Sequence, residues 1–151
     1  MKTYYLTLSQ GFPATHARAG QPTGFKENLC KTKMHTIRAN YEFWKNRFEQ
    51  IEKGEACLSI RQWTGKPYRS KQVEIARLTR EDGIGIQKLE LELADKLFGI
   101  YHPRIDDGKG VSSIEELANN DGLSLNDWRE WFKDYDLSQP MAIIHFTPFR
   151  Y

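Results

Sequence analysis

The segment KTKMHTIRAN brings several hydrogen-bond donors close together. It contains Lys31, Lys33, His35, Thr36 and Arg38. Ammonium and guanidinium groups donate to phosphate oxygens and to base edges, and an arginine does so with two parallel hydrogen bonds. The segment therefore predicts contacts to a nucleic acid or a nucleobase. The alternative interpretation is a solvated basic strand end, which charge runs of this kind also form.

A second candidate surface alternates cations with aromatic rings around a predicted hairpin. Such a mixture suits phosphate contacts combined with the stacking of bases on rings. Exposed hairpin tips are also commonly charged for solubility, because the charges prevent sheet edges from pairing with other chains. Ligand binding and solubility therefore remain alternative roles for this surface. The residues of this surface are Arg61, Trp63, Lys66, Tyr68, Arg69 and Lys71.

The net charge of +2 conceals an uneven distribution along the chain. Residues 1–80 contain 15 Lys and Arg against 6 Asp and Glu, whereas residues 81–151 contain 7 against 14. A basic half attracts polyanions because neutralised phosphates release their counterions. The two halves can also interleave in space and cancel, so the asymmetry favours a nucleic-acid partner only weakly.

Length and composition predict one folded domain, residues 1–151, with a single hydrophobic core. No apolar run is long enough for a membrane span or a signal peptide, so we expect a cytoplasmic protein without a membrane partner. The two cysteines, Cys30 and Cys57, have no second Cys or His at zinc-ligand spacing. We therefore expect no metal and no cofactor.

The first half of the chain predicts a strand, a loop and a helix. Tyr4–Leu8 is rich in residues that favour strands, and Gly11–Asn28 contains too many Gly and Pro residues for a regular element. In this loop His16 and Thr23 are candidates for closing over a ligand. After Asn40, aromatic and aliphatic residues recur at spacings of three and four up to Gly54, which predicts an amphipathic helix.

The second half predicts mainly strands, with two short helices before the last one. Ser112 or Ser113 can cap a helix through Leu117, and Ser124 can cap another that ends near Asp134. Many short strands with a few helices indicate the α+β class and a small, mostly antiparallel barrel. The predicted strands are Ala56–Trp63, Ser70–Leu78, Ile84–Leu93, Phe98–Ile105 and Met141–Phe146, with a helix over Lys88–Leu97 as an alternative.

The run from Lys33 to Arg38, KMHTIR, resembles the K-x-x-T-I-R signature of ASCH domains, which belong to the PUA-like superfamily. The segments LSIRQW, GKPYRSKQ and NDGLSLNDW are similar to those of bacterial and phage members, and the likeness extends over roughly residues 2–148. The resemblance implies a PUA-like pseudobarrel with flanking helices. It also implies a cleft, floored by the signature, that binds RNA or a nucleotide.

One branch of this family is an amidohydrolase that removes the acetyl group of N4-acetylcytidine with a Lys, a Thr and an acidic residue. The matching positions are Lys33, Thr36 and Asp121, and where that branch has Glu this sequence has the shorter Asp. Taken alone, Asp121 before Gly122 favours a role in the loop or at the start of the next helix.

The chemistry of this triad places a condition on the backbone. A Thr hydroxyl is a weak nucleophile that needs a base, and a Lys serves when burial or a nearby cation lowers its pKa. Residues 33 and 36 of a regular strand point to opposite faces. Lys33 and Thr36 can therefore cooperate only if the chain turns between them.

Three functional hypotheses follow from the sequence. The first is a binding module for RNA or a modified nucleoside, with Lys33, Thr36 and Arg38 on the floor of a basic cleft. The second is the amidohydrolase, with Thr36 as nucleophile, Lys33 as base and Asp121 orienting Lys33 or polarising a water. The third is a regulatory scaffold in which this site has decayed.

Overall fold

The computed structural model of the chain describes residues 1–95, 97 and 100–151. Within this part it contains seven strands and four α-helices. The strands are β1 (Lys2–Leu8), β2 (His35–Ala39), β3 (Ala56–Trp63), β4 (Gln72–Leu78), β5 (Gly85–Asp95), β6 (Ile100–Ile105) and β7 (Met141–His145). The helices are α1 (Phe25–Asn28), α2 (Tyr41–Glu52), α3 (Ile114–Asn120) and α4 (Leu125–Phe132).

The strands form two sheets. The three-stranded sheet has the order β1-β3-β4, with β1 parallel to β3 and β4 antiparallel to β3. The four-stranded sheet has the order β2-β7-β5-β6 and is antiparallel throughout. The mixed α+β class is thus confirmed, whereas the two sheets are not closed into a barrel by strand pairing.

Helices α2, α3 and α4 begin close to the positions that the sequence predicted. Helix α2 begins after Asn40, whose side chain accepts from the Phe43 amide, and it buries Trp44, Phe48 and Ile51. Burying a side chain such as Phe48 contributes about 1.5–3 kcal/mol to stability. Of the two serines predicted as alternative caps for α3, Ser113 is the cap, and Ser124 caps α4 as predicted.

The alternative of a helix over Lys88–Leu97 is wrong up to Asp95. This segment belongs to β5, because Gly85–Leu89 pairs with β7 and Leu89–Asp95 pairs with β6. The predicted strand Phe98–Ile105 corresponds to β6, which does run antiparallel to β5, and Phe98 lies outside the described residues.

Strand β2 and the single turn α1 are absent from the order of elements expected from the sequence. Strand β2 pairs with β7, so that His35 lies opposite His145 and Ala39 opposite Met141. This pairing joins segments more than a hundred positions apart, and no local pattern announces it. The basic segment predicted between a loop and a helix is therefore partly an edge strand.

No helix among the described residues is long and apolar enough to cross a membrane.

Candidate active site

Lys33 lies outside β2, in a turn that redirects the chain. Cys30 adopts a positive φ of 62°, its amide donates to Lys33 O at 2.9 Å, and the Lys33 amide donates to Asn28 O at 3.0 Å. Lys33 then pairs with Asp121 in an isolated antiparallel bridge. The turn therefore precedes Lys33 and does not lie between Lys33 and Thr36; β2 begins at His35, after Met34, which belongs to no regular element. Lys33 and Thr36 nevertheless line the same cavity.

The side chains of Lys33 and Asp121 form a buried ion pair. Lys33 Nζ lies 2.6 Å from Asp121 Oδ1 and also donates to Asp121 O at 2.8 Å. The residues are 1% and 3% exposed, and the ammonium group lies 4.1 Å from the centre of the Phe25 ring. Because Ser124 caps α4, the Asp121 carboxylate is not used as a helix cap.

Burial and the charge of the partner shift the pKa of each member of this pair in opposite directions. Burial lowers the pKa of Lys33, and the neighbouring Asp121 offsets only part of this effect. Burial by itself would raise the pKa of Asp121, but Lys33 and His35 more than compensate and hold the pKa below its usual value. The carboxylate is therefore ionised, and the amine loses its proton more readily than an exposed lysine.

A cavity of about 300 Å³ opens beside the pair, between the ends of β1, β2 and α4. Thr36 and Arg38 alternate along β2 and therefore face the same side, where they line the cavity together with Lys33 and Asp121. The rest of the wall is largely apolar and aromatic, and it includes Leu8, Pro13, Phe25, Ile37, Leu123, Trp131, Phe132 and Tyr135.

The Thr36 hydroxyl and the Arg38 guanidinium, both on β2, have different surroundings. Thr36 is 6% exposed and lines the cavity, where its hydroxyl can meet a ligand. Arg38 Nη2 donates to Thr7 O at 2.6 Å, which joins the edge strands β2 and β1 of the two sheets. The other N–H groups of the guanidinium remain for an oxygen atom in the cavity.

His35 lies behind the ion pair and does not line the cavity. Its ring is fully buried, with Nδ1 3.7 Å from Asp121 Oδ1 and Nε2 2.6 Å from Tyr151 Oη. His35 therefore contacts the carboxylate rather than a ligand, contrary to its expected place among the base-binding residues. Tyr151 gave no signal in the sequence, because it reaches the site only through tertiary packing.

A wider groove of about 770 Å³ adjoins the cavity, and the two share Ser9, Pro13 and Arg38. Trp63, Lys66 and Tyr68 line its far side, with the rings of Trp63 and Tyr68 5.2 Å apart. Tyr68 is 89% exposed.

The remaining members of the two predicted binding surfaces lie elsewhere. Arg61 lies over the Tyr5 ring, with 5.2 Å between the guanidinium carbon and the ring centre. Arg69 and Lys31 are exposed, and neither they nor Arg61 line the cavity or the groove. The groove therefore brings together only part of the predicted hairpin surface.

The Gly- and Pro-rich loop packs on α4 and leaves the cavity open. His16 is buried and its Nε2 lies 3.1 Å from Asp127 O, while Arg18 pairs with the Asp127 carboxylate at 2.6 Å. Thr23 donates to Ser9 O. These contacts fix the loop, so His16 and Thr23 hold it in place and do not line the cavity.

Another cavity, of about 520 Å³ and mainly apolar, lies between β6 and helices α3 and α4. None of the residues predicted for the site lines it. Among residues 1–95, 97 and 100–151, no group of three or more His, Cys, Asp or Glu side chains is placed to hold a metal ion.

No family model, no curated protein and no solved structure matches this chain. The function is therefore inferred from the geometry of the site.

Proposed function

We propose that this protein is an ASCH-type, PUA-like domain that binds a modified nucleobase in the 300 Å³ cavity and hydrolyses its acylamide group, as in N4-acetylcytidine. The observation that carries the proposal is the buried Lys33–Asp121 pair in the wall of a cavity that also contains Thr36. A buried pair costs solvation and adds little stability compared with apolar packing. Perturbed ionisable groups in a cleft are typical of catalytic sites.

In the proposed first step Lys33 acts as the general base. A neutral amine has two N–H donors and one lone pair, and the two donors match Asp121 Oδ1 and O. The lone pair then takes the proton of the Thr36 hydroxyl as Oγ1 attacks the acyl carbon. Arg38 stabilises the negative charge that develops on the acyl oxygen.

In the second step the tetrahedral intermediate breaks its carbon–nitrogen bond. The Lys33 ammonium returns its proton to the departing exocyclic amine, which leaves the acyl group as an ester on Thr36. Lys33 then takes a proton from a water molecule as the water attacks this ester, and it returns that proton to Thr36 Oγ1 as the ester bond breaks, which releases the carboxylic acid and restores the hydroxyl. Asp121 remains ionised throughout and holds Lys33 in position.

We also propose that the two sheets are the halves of a PUA-like pseudobarrel. The hydrogen bond from Arg38 of β2 to Thr7 O of β1 supports this, because it links the edge strands across the gap between the sheets. The catalytic cavity would then lie at the seam of the pseudobarrel.

A second candidate is the binding of single-stranded RNA without turnover. The observation that favours it is the groove that continues from the cavity past Arg38 to Trp63, Lys66 and Tyr68. Exposed rings beside cations stack on bases and contact phosphates. On this alternative the Lys33–Asp121 pair would be a structural element of the cavity floor.

The experiment that tests hydrolysis is incubation of the purified protein with N4-acetylcytidine, followed by chromatography of released cytidine. We expect turnover by the wild-type protein and a loss of at least about 100-fold in Lys33→Met and Thr36→Val, because general acid–base catalysis contributes about 100- to 10,000-fold. Lys31→Met is the matched control, since Lys31 is exposed in the same segment.

The outcomes separate the two candidates. Equal turnover by Lys33→Met and the wild-type protein would contradict the assignment of the base. Absence of turnover in every protein, together with salt-dependent binding of a single-stranded oligonucleotide, would favour the binding module.

A further inference from the structure

A buried polar network lies behind the ion pair, on the side of β2 that faces away from the cavity. It links Tyr151 with Gln87 on β5, His145 on β7, His35 on β2 and Asn120 at the end of α3. His35, His145 and Gln87 are all buried. Buried polar groups are costly unless they are paired, so the donor at each contact can be deduced from its partners.

Gln87 has one consistent orientation. Its Nε2 donates to Asp106 Oδ2 at 2.9 Å and to Tyr151 O at 3.3 Å, both of which are acceptors. Its Oε1 therefore accepts, from the Tyr151 amide at 2.9 Å and from His145 Nε2 at 2.9 Å. Gln87 thus clamps the main chain of Tyr151 on both sides and holds His145 with its proton on Nε2.

The Tyr151 hydroxyl is oriented in the same way. Asn120 Nδ2 donates to Tyr151 Oη at 3.0 Å. The hydroxyl hydrogen is then directed at His35 Nε2, which lies 2.6 Å from the same oxygen. Because Nε2 accepts, the proton of a neutral His35 ring is on Nδ1, the atom that faces Asp121 Oδ1 at 3.7 Å.

We propose that Tyr151 is a positioning residue that holds His35 in the Nδ1–H tautomer and so keeps the Asp121 carboxylate directed at Lys33. His35 Nδ1 is a buried atom without a hydrogen-bond partner among the described residues, and its contact with Asp121 Oδ1 at 3.7 Å is electrostatic. The opposite tautomer would set the Nδ1 lone pair against the carboxylate and would leave the Tyr151 hydrogen without an acceptor. Only the Nδ1–H tautomer gives the Tyr151 hydroxyl an acceptor and also places an N–H, rather than a lone pair, toward the Asp121 carboxylate.

Burial favours a neutral His35 ring. The groups that face the ring are Asp121, Lys33, His145 and Tyr151. Burial lowers the pKa of His35, and Asp121 offsets this only in part. A neutral ring has one N–H, so the choice of nitrogen decides which side of His35 donates.

The test is a two-bond ¹H–¹⁵N correlation spectrum of the histidine rings in the labelled protein without substrate, with His35 assigned through His35→Gln. In the wild-type protein we expect His35 with a protonated Nδ1 and an unprotonated Nε2. Tyr151→Phe removes only the hydroxyl, and we expect the Nε2–H form to appear. Tyr101→Phe, on β6 and outside the network, is the matched control and leaves the pattern unchanged.

The expected loss of catalysis in Tyr151→Phe rests on the proposed function, whereas the expected tautomer of His35 does not. In the deacetylation assay we expect Tyr151→Phe to lower kcat about tenfold with little change in KM, as for an interaction of ordinary hydrogen-bond strength. An Nε2–H tautomer of His35 in the wild-type protein, or an unchanged tautomer in Tyr151→Phe, would overturn the proposal. Because the spectrum needs no substrate, absence of turnover would count against the hydrolase alone.

Discussion

Lys33 Nζ and Asp121 Oδ1 lie 2.6 Å apart in the folded chain, although the two residues are separated by 88 positions in the sequence. The pair is almost fully buried, and its two hydrogen bonds connect the turn before β2 with the end of α3. It therefore serves both as the proposed catalytic centre and as a long-range contact, and these two roles have separable consequences.

Removal of one partner should destabilise the fold more than removal of both. Lys33→Met leaves an unpaired buried carboxylate, and we expect the free energy of unfolding to fall by about 3–5 kcal/mol. The double variant Lys33→Met with Asp121→Leu should recover a large part of this loss while remaining inactive. Urea denaturation measures both changes, and equal stability of the single and double variants would contradict the buried pair.

Stability should decrease as the pH falls below about 6.5. Burial lowers the pKa of His145 from 6.5 to about 2, with smaller contributions from His35 and Arg150, and the pKa of His35 is also lowered. Between these pH values the unfolded chain binds a proton on the His145 ring that the folded protein does not, and His145 then contributes a loss of about 1.4 kcal/mol per pH unit. The lowered pKa of His35 acts in the same direction.

The pH dependence of the free energy of unfolding can be assigned to His145 by substitution. His145→Asn removes the titrating group, so its free energy of unfolding should change less steeply between pH 6 and pH 4 than that of the wild-type protein. His102→Asn, at an exposed position on β6, is the matched control and should keep the wild-type slope. Identical slopes in all three proteins would show that His145 is protonated in the folded state.

Gly122 should be intolerant of a side chain because of Lys33. An added Cβ would lie 3.2 Å from Lys33 Cδ, and the backbone has a positive φ of 75°. Gly20 has a similar φ of 79° but open space around it. Both Ala substitutions should cost about 1–2 kcal/mol of backbone strain, whereas only Gly122→Ala should also lower turnover. Equal turnover in the two variants would mean that the contact with Lys33 is not critical.

The groove lined by Tyr68 predicts an effect on oligonucleotide binding that is separate from turnover in the cavity. Tyr68→Ala should leave stability unchanged because the ring is 89% exposed, yet it should weaken binding of a single-stranded oligonucleotide by about 1–3 kcal/mol. Fluorescence anisotropy at two salt concentrations measures this affinity. Phe43→Ala, an exposed aromatic on α2 outside the groove, is the control. An equal loss in both variants would exclude a specific contribution from Tyr68.

The correctly predicted helices α2, α3 and α4 have local causes. The predicted caps Ser113 and Ser124 act on amides within three residues, and the inner face of α2 repeats every three to four residues. These signals depend only on neighbouring positions, so the sequence alone was sufficient to place these three helices.

Local signals did not distinguish a strand from a helix at Lys88–Leu97, because alternating and helical patterns both fit its leucines. The pairing of β5 with β7 and β6 makes this segment a strand as far as Asp95. The same holds for β2, whose hydrogen bonds come from β7. Strand formation depends on partners that are distant in sequence, which local propensity does not report.

The sequence by itself determined which residue types were available for chemistry: the amine of Lys33, the hydroxyl of Thr36 and the carboxylate of Asp121. Only the tertiary structure decided that Lys33 and Asp121 form a buried pair, that Arg61 and Arg69 lie away from the groove, and that Tyr151 reaches His35. The reason is physical. Burial, desolvation and hydrogen-bond partners arise from packing among distant segments, and these, rather than residue type, set the charge and direction of a side chain.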